Sequence, residues 1–478
     1  MTAMTRRSRS VLFGSVALGM TLVTAPMVHA DTQDEPPPEV EPLGFGPENV
    51  IYLVGDGMGF NQIDVASLYE HGTANYQFHA DPDTGEVEHV DGEASQVYQN
   101  FPVQAAAATY QDGHSYESDE AWADFDWRLN EPPDSAATAT ALSTGVRTYN
   151  AAIGVDPDGT PVRNLTERAQ ELDKASGVVS SVPFSHATPG AFVAHNLDRN
   201  DYHGIAREML TEHSINVIMG GGNPYFDEDG QELEDPEYTY LDEDTYDRVM
   251  GGDTIFDVVE DREDFVDLAT ADNPPEHVFG LPEVAGTLQY ERSGPDMDSE
   301  GNPVPGAEPY DAPLLETTPT LPEMTEAALN VLTNASDEGL FLMVEGGAID
   351  WASHGNSLNR LIEEQIAFNE TIETVVDWVE SESSWSETLV VVTADHETGY
   401  LTGADSDPAW APIEGEEGEL PDVSWHTGGH TNGLVPVYAQ GAGASRILSY
   451  ATEEDPVHGP YLENIDIAET VFDYWGHD

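Results

Sequence analysis

The sequence contains no cysteine and a single lysine, Lys174. Without cysteine there are no disulfides, thiolate metal sites or cysteine nucleophiles, so stability must come from core packing, bound ions or association. Basic residues of either kind are scarce. Fifteen Lys and Arg stand against 91 Asp and Glu, a formal net charge of −76. The acids run through the whole chain rather than forming a tail. Such a surface repels itself unless salt screens it, and it is unsuited to nucleic acid or anionic membranes. We therefore expect adaptation to high ionic strength. Long apolar stretches are also missing, with one exception. Arg6, Arg7 and Arg9 precede the apolar run Val11 to Val23, and Val28-His29-Ala30 supplies small residues for cleavage. Residues 1–30 thus read as an export signal, too short in its apolar part for a comfortable membrane span. The expected location is periplasmic or secreted. Removal of this segment leaves twelve bases against 91 acids, a net charge of −79.

What is present suffices for a large core: 478 residues, 39% of them hydrophobic. Short apolar runs at Val50–Val54, Gly177–Val182, Leu340–Val344, Leu389–Thr393 and Leu434–Ala439 suit strands buried on both faces. Helical periodicity fills the intervals, over Thr320–Leu332 with a capping-box spacing to Glu323, and over Leu358–Val379. This alternation predicts an α/β fold, a large, mostly parallel central sheet with helices on both faces. Residues 31–478 are expected to form one catalytic domain with acidic surface insertions at about 69–131 and 222–318.

The polar residues with chemical potential cluster at the ends of these runs, where sites in such sheets gather. Asp350 and His354 share a helix face four residues apart, and Glu345 ends the strand before them. Asp395-His396 closes another strand; the next residues do not complete a zincin motif, because Tyr400 stands where its second histidine belongs. Gly55-Asp56-Gly57-Met58-Gly59 has the wrong spacing for a dinucleotide loop, and Asp56 would repel a pyrophosphate, so Asp56 reads as a metal ligand. Asp134-Ser135 opens an Ala/Thr-rich helix, where free N–H groups favour an anion; taken alone, this is also what a capping serine looks like.

Together these motifs resemble the alkaline phosphatase family. Asp134-Ser135-Ala136 is similar to its nucleophile motif. His186-Ala187-Thr188-Pro189 followed by Arg199 is similar to its magnesium and phosphate-arginine segment. Glu345 to His354, Asp395 to Gly399, His430-Thr431 and Ile218 to Gly222 complete the likeness over roughly residues 46–472. The resemblance implies two zinc ions and one magnesium ion. One zinc would take Asp350, His354 and His430; the other Asp56, Asp395, His396 and Ser135; magnesium would take Asp56, Thr188 and Glu345. His186 and Trp351 occupy positions that vary in the family, and their combination resembles marine bacterial members. His426, four residues before His430, competes for the zinc role; His430 is preferred because it leads into the last apolar strand. Ser135 would be the nucleophile, Arg199 would clamp phosphate, and Asp134 would orient Arg199. The implied substrates are phosphate monoesters and the implied assembly is a homodimer. The rival readings are a phosphodiesterase or sulfatase of the same superfamily, or a secreted metal- or phosphate-binding protein. A sulfatase would need Pro and Arg two and four positions after the nucleophile, where this chain has Ala137 and Ala139.

Overall fold

Residues 46–298 and 302–477 are described by the structure, a computed structural model. The expected export signal over 1–30 lies outside the described residues. Eleven strands form one sheet. In chain order they are β1 (Asn49–Gly55), β2 (Val103–Ala108), β3 (Ala175–Pro183), β4 (Val217–Gly221), β5 (Asp257–Val259), β6 (Val278–Gly280), β7 (Leu340–Gly346), β8 (Thr388–Ala394), β9 (Val435–Gly441), β10 (Glu453–Asp455) and β11 (Gly459–Glu463). Their spatial order is β10-β11-β2-β9-β8-β1-β7-β3-β4-β6-β5. From β8 to β5 every neighbouring pair is parallel, and antiparallel pairing is confined to the β9 side. Helices cover both faces, as the strand–helix alternation predicts.

The central strands are apolar because both their faces are covered. All residues of β7 and β8 are buried, as are Val50 to Gly55 of β1. The long helix Leu358–Glu382 and the helix Leu321–Ala335 pack into the same core, and Thr320 closes the second with the expected capping box.

The two stretches read as insertions are in part sheet. Residues 69–131 contain β2, which lies between β9 and β11. Its sequence, Val-Gln-Ala-Ala-Ala-Ala, has almost no strand propensity, so its place comes from its neighbours rather than from its own pattern. Residues 222–318 supply the edge strands β5 and β6. The rest of this segment is tied to the long helix by two buried ion pairs, Arg292 with Glu363 at 2.6 Å and Arg360 with Asp296 at 2.5 Å. Among the described residues no helix is long and apolar enough to cross a membrane.

Candidate active site

Register builds the site. Gly55 of β1 stands opposite both Gly346 of β7 and Ala394 of β8, and Ser180 of β3 stands opposite Glu345. β1, β7 and β8 therefore end at one level beside β3, which runs on to Pro183, and Asp56, Glu345 and Asp395 emerge side by side at the three ends. The turn after β1 is pressed against the helix Ala348–His354. Gly57 has φ +73°, and a Cβ there would lie 2.8 Å from the Cα of Asp350, so only glycine fits. A short ladder pairs Glu397 and Thr398 with Thr431 and His430, bringing His430 beside His396, ring centroids 3.7 Å apart.

The histidine tautomers follow from their partners. His354 Nδ1 lies 2.7 Å from the Gly428 carbonyl and His430 Nδ1 2.8 Å from the Pro133 carbonyl. A carbonyl only accepts, so both Nδ1 atoms carry hydrogen. The two Nε2 atoms then face each other at 3.0 Å, beside the Asp350 carboxylate, 3.3 and 3.6 Å away. Two lone pairs at that distance repel unless a cation or a proton lies between them. In the metal-free chain the proton goes to His354: burial opposes its charge, but Asp350 and the Gly428 carbonyl outweigh burial and lift its pKa to about 9. The Thr398 hydroxyl donates to Asp350 and so can only accept from His396 Nδ1, at 3.3 Å. His396 Nε2 is thereby left as a lone pair, 3.2 Å from Ser135 Oγ, 3.3 Å from Asp395 and 3.5 Å from Asp56.

Ser135 is the first residue of the helix Ser135–Thr144 and is 1% exposed. Asp134 caps that helix: one carboxylate oxygen accepts from Ala137 N–H, the other from Ala151 N–H and from Arg199 at 3.2 Å. Burial would weaken the charge of Arg199, but Asp134 and then Asp56 hold it protonated. His186, Thr188 and Glu345 form the deeper side. Burial, then Arg199, pushes the His186 pKa down to about 3, so the ring is neutral. Trp351 packs edge-on against His186, centroids 5.6 Å apart, and Tyr202 stacks on His186's ring.

The donor set fits divalent cations. Burial raises the pKa of Asp56 strongly, and Asp395, Asp350 and Glu345 raise it further. Burial likewise lifts Glu345 and Asp395 to about 7. Both oxygens of Asp56, Oε1 of Glu345, Oγ1 of Thr188 and Nδ1 of His186 are buried without a hydrogen-bond partner. A chain that gathers several carboxylates out of water and leaves their oxygens unpaired is incomplete without positive charge. Ligand atoms of Asp350, His396 and His430, and of Asp56, Asp395 and His396, lie within 4.8 Å of one another.

The structure brings Asp56, Asp134, Ser135, His186, Thr188, Arg199, Glu345, Asp350, Trp351, His354, Asp395, His396 and His430 together, and leaves His426 outside. That ring hydrogen-bonds Thr402 at 2.7 Å and packs on Phe125 and Tyr400. Sequence reading gave no role to Thr398, which fixes Asp350 and His396, to Thr138, which reaches Asp395 at 3.3 Å, or to Ser180, which donates to Glu345. Thr398 lies inside a quoted motif. Ser180 becomes visible only through the pairing of β3 with β7.

A family model described as alkaline phosphatase matches residues 47–420. Alkaline phosphatase 3 of Bacillus subtilis (strain 168) is 30% identical over 373 residues, 76% of this chain and 64% of that protein, so the chain spans just under two thirds of this relative. The alkaline phosphatase of Escherichia fergusonii is 27% identical over 447 residues, 85% of this chain and 84% of that one. The structure of alkaline phosphatase from the Antarctic bacterium TAB5 matches with a TM-score of 0.60 at 25% identity, over 91% of this chain and 99% of the other. With a family model spanning most of its length and a site assembled at the ends of its central strands, this chain belongs to the alkaline phosphatase family.

Proposed function

We propose that the chain is an exported, salt-adapted alkaline phosphatase that hydrolyses phosphate monoesters through a phosphoserine on Ser135. The observation that carries this reading is the position of Ser135 Oγ. It sits at a helix N-terminus, against the lone pair of His396, in a nest of buried carboxylates and imidazoles that also holds Arg199. Asp350, His354 and His430 would hold one zinc. Asp56, Asp395 and His396 would hold a second next to Ser135. Asp56, Thr188 and Glu345, with His186 beside them, would hold magnesium. When bound, these cations supply Lewis acidity to the serine oxygen, the leaving-group oxygen and water.

The protein's own groups position the rest. Ser135 loses its proton to solvent, Oγ attacks phosphorus, the ester P–O bond breaks, and the departing alkoxide takes a proton from water to leave as the alcohol. Water then cleaves the phosphoserine and releases inorganic phosphate. Arg199, aimed by Asp134, binds phosphate oxygens through two parallel N–H groups, and the N–H groups of the helix Ser135–Thr144 face the same charge. Trp351, packed edge-on against His186, would wall the deeper side of the substrate space.

Acid quenching during turnover should trap phosphate on Ser135, and chelation should abolish activity that zinc and magnesium restore. Full monoesterase activity in Ser135→Ala would refute the mechanism. Matched monoester, diester and sulfate ester substrates separate this reading from its superfamily rivals, and light scattering tests the homodimer implied by the resemblance.

A further inference from the structure

The helix Tyr202–Thr211 touches two histidine clusters. Its first residue, Tyr202, stacks on His186 of the Ser135 centre. Glu208, further along, meets a different pair. Its Oε1 lies 3.2 Å from His195 Nδ1 and 3.4 Å from His213 Nε2. Ligand atoms of the three residues lie within 4.8 Å of one another. Their side chains are largely covered, with 12%, 22% and 15% exposure for His195, Glu208 and His213. Apart from one another, these side chains bond to Val162 and Glu167, and Glu208 Oε1 also accepts from the His195 backbone N–H at 2.9 Å.

The arrangement around His195 repeats that of His354 and His430. Its Nε2 is 3.0 Å from the Val162 carbonyl, so that nitrogen carries hydrogen. Glu167 lies 3.7 Å from the same nitrogen. A backbone carbonyl and a carboxylate on one ring nitrogen are what orient an imidazole to offer the other as a metal ligand. Nδ1 then points at Glu208, with His213 on the same oxygen. Chain geometry brings this about: His195 comes from the segment before the helix, Glu208 from its last turn, and His213 from two residues beyond its end.

We propose that His195, Glu208 and His213 form a further metal site, separate from the Ser135 centre, for a divalent transition ion of the zinc class. Two imidazole nitrogens and one carboxylate oxygen match zinc, cobalt or nickel, whereas magnesium and calcium call for oxygen donors. Without metal the same geometry is held by a proton. Burial would raise the pKa of Glu208, but hydrogen bonds from His195 and His213 pull it down to about 2, and His195 is pushed upward in turn. An ion would replace that proton. Its role is to brace a segment that matters: Asn196 pairs with Ile153 through the backbone, and Arg199 N–H donates to Ala151 O, only a few residues from His195. The ion would fix the base of the loop that presents Arg199.

Metal counting on the full-length, zinc- and magnesium-loaded protein tests this. Wild type should retain one more zinc per chain than His213→Ala or Glu208→Gln after removal of loosely held ions. Added zinc should raise the Tm of wild type by several degrees more than that of either variant. His354→Ala, altered in the other centre, should lose activity yet keep the additional zinc, which separates failure of this proposal from failure of the phosphatase reading. Equal zinc content and equal zinc-dependent Tm shifts in wild type, His213→Ala and Glu208→Gln would overturn the proposal and leave a protonated histidine–glutamate cluster. Glu208→Gln, which preserves shape, guards against a result caused by misfolding.

Discussion

Asp134 carries two duties with one carboxylate, capping the helix that begins at Ser135 and aiming Arg199. On the proposed mechanism, replacing Arg199 by Ala removes the phosphate clamp together with its bond to Asp134, which keeps its two backbone donors. Charge-assisted hydrogen bonds contribute about 1.5–3 kcal/mol, so kcat/KM for a monoester should fall on the order of 10- to 100-fold with Tm little changed. Asp134→Ala should lower kcat/KM and also cost about 1 kcal/mol of stability through the lost cap, visible in urea unfolding. Unchanged kinetics in either variant would remove Arg199 from the substrate site. A second residue tests the core. Glu364 is buried on the long helix, one oxygen unpartnered, and burial followed by Glu363 lifts its pKa to about 7. The folded state therefore binds a proton more tightly than the unfolded chain between about pH 4.5 and 7. The stabilisation this gives is complete below that window and is lost as pH rises through it. Glu364→Gln, neutral at all pH, should match wild type near pH 4.5 and exceed it at pH 8, by at most on the order of 3 kcal/mol. Equal pH dependence of Tm in the two proteins would contradict the assignment.

At the scale of elements, the turn after β1 is the tightest joint in the site. A Cβ at residue 57 would meet the backbone of Asp350 and the Thr398 hydroxyl at 2.8 and 2.9 Å. Gly57→Ala should cost about 1–3 kcal/mol from the left-handed backbone alone. It should also shift Asp350, so that metal retention falls with Tm. A variant that keeps its full metal content and melting point would show that the turn has slack. The same joint shows what a sequence can disclose. Val50–Val54, Leu340–Val344 and Leu389–Thr393 are legible because burial on both faces demands uninterrupted apolar residues, and the ligands follow at their ends. β2 is not legible, since four alanines in a row carry no strand pattern and only flanking strands make them sheet. Nor is Ser180, a donor to Glu345 from a strand 165 residues away, because strand pairing is not written in local pattern. Thr398 stood in plain view, but its bonds to Asp350 and His396 require the turn that Gly57 permits.

For the whole molecule, charge sets the operating conditions. A chain at −76 repels a phosphate dianion at low salt, whereas at molar salt the Debye length is about 3 Å and, on the proposed mechanism, the cations of the site would dominate locally. kcat/KM should rise as salt is raised from low levels, and Tm should rise with it, in protein shown to stay folded and metallated. Flat or falling values would reject salt adaptation. The buried pairs Arg292–Glu363 and Arg360–Asp296, shielded from solvent, should contribute little to that trend. The sheet order has a further consequence, for biosynthesis. β1 is the earliest of the sheet's described strands, yet both its neighbours, β7 and β8, are encoded about 290 and 340 residues later. At ribosomal rates of about 5–20 residues per second, its two bare edges wait tens of seconds for partners. During that interval the dense negative charge of the nascent polypeptide would keep unfinished chains apart, a second use for the composition beside the proposed tolerance of brine.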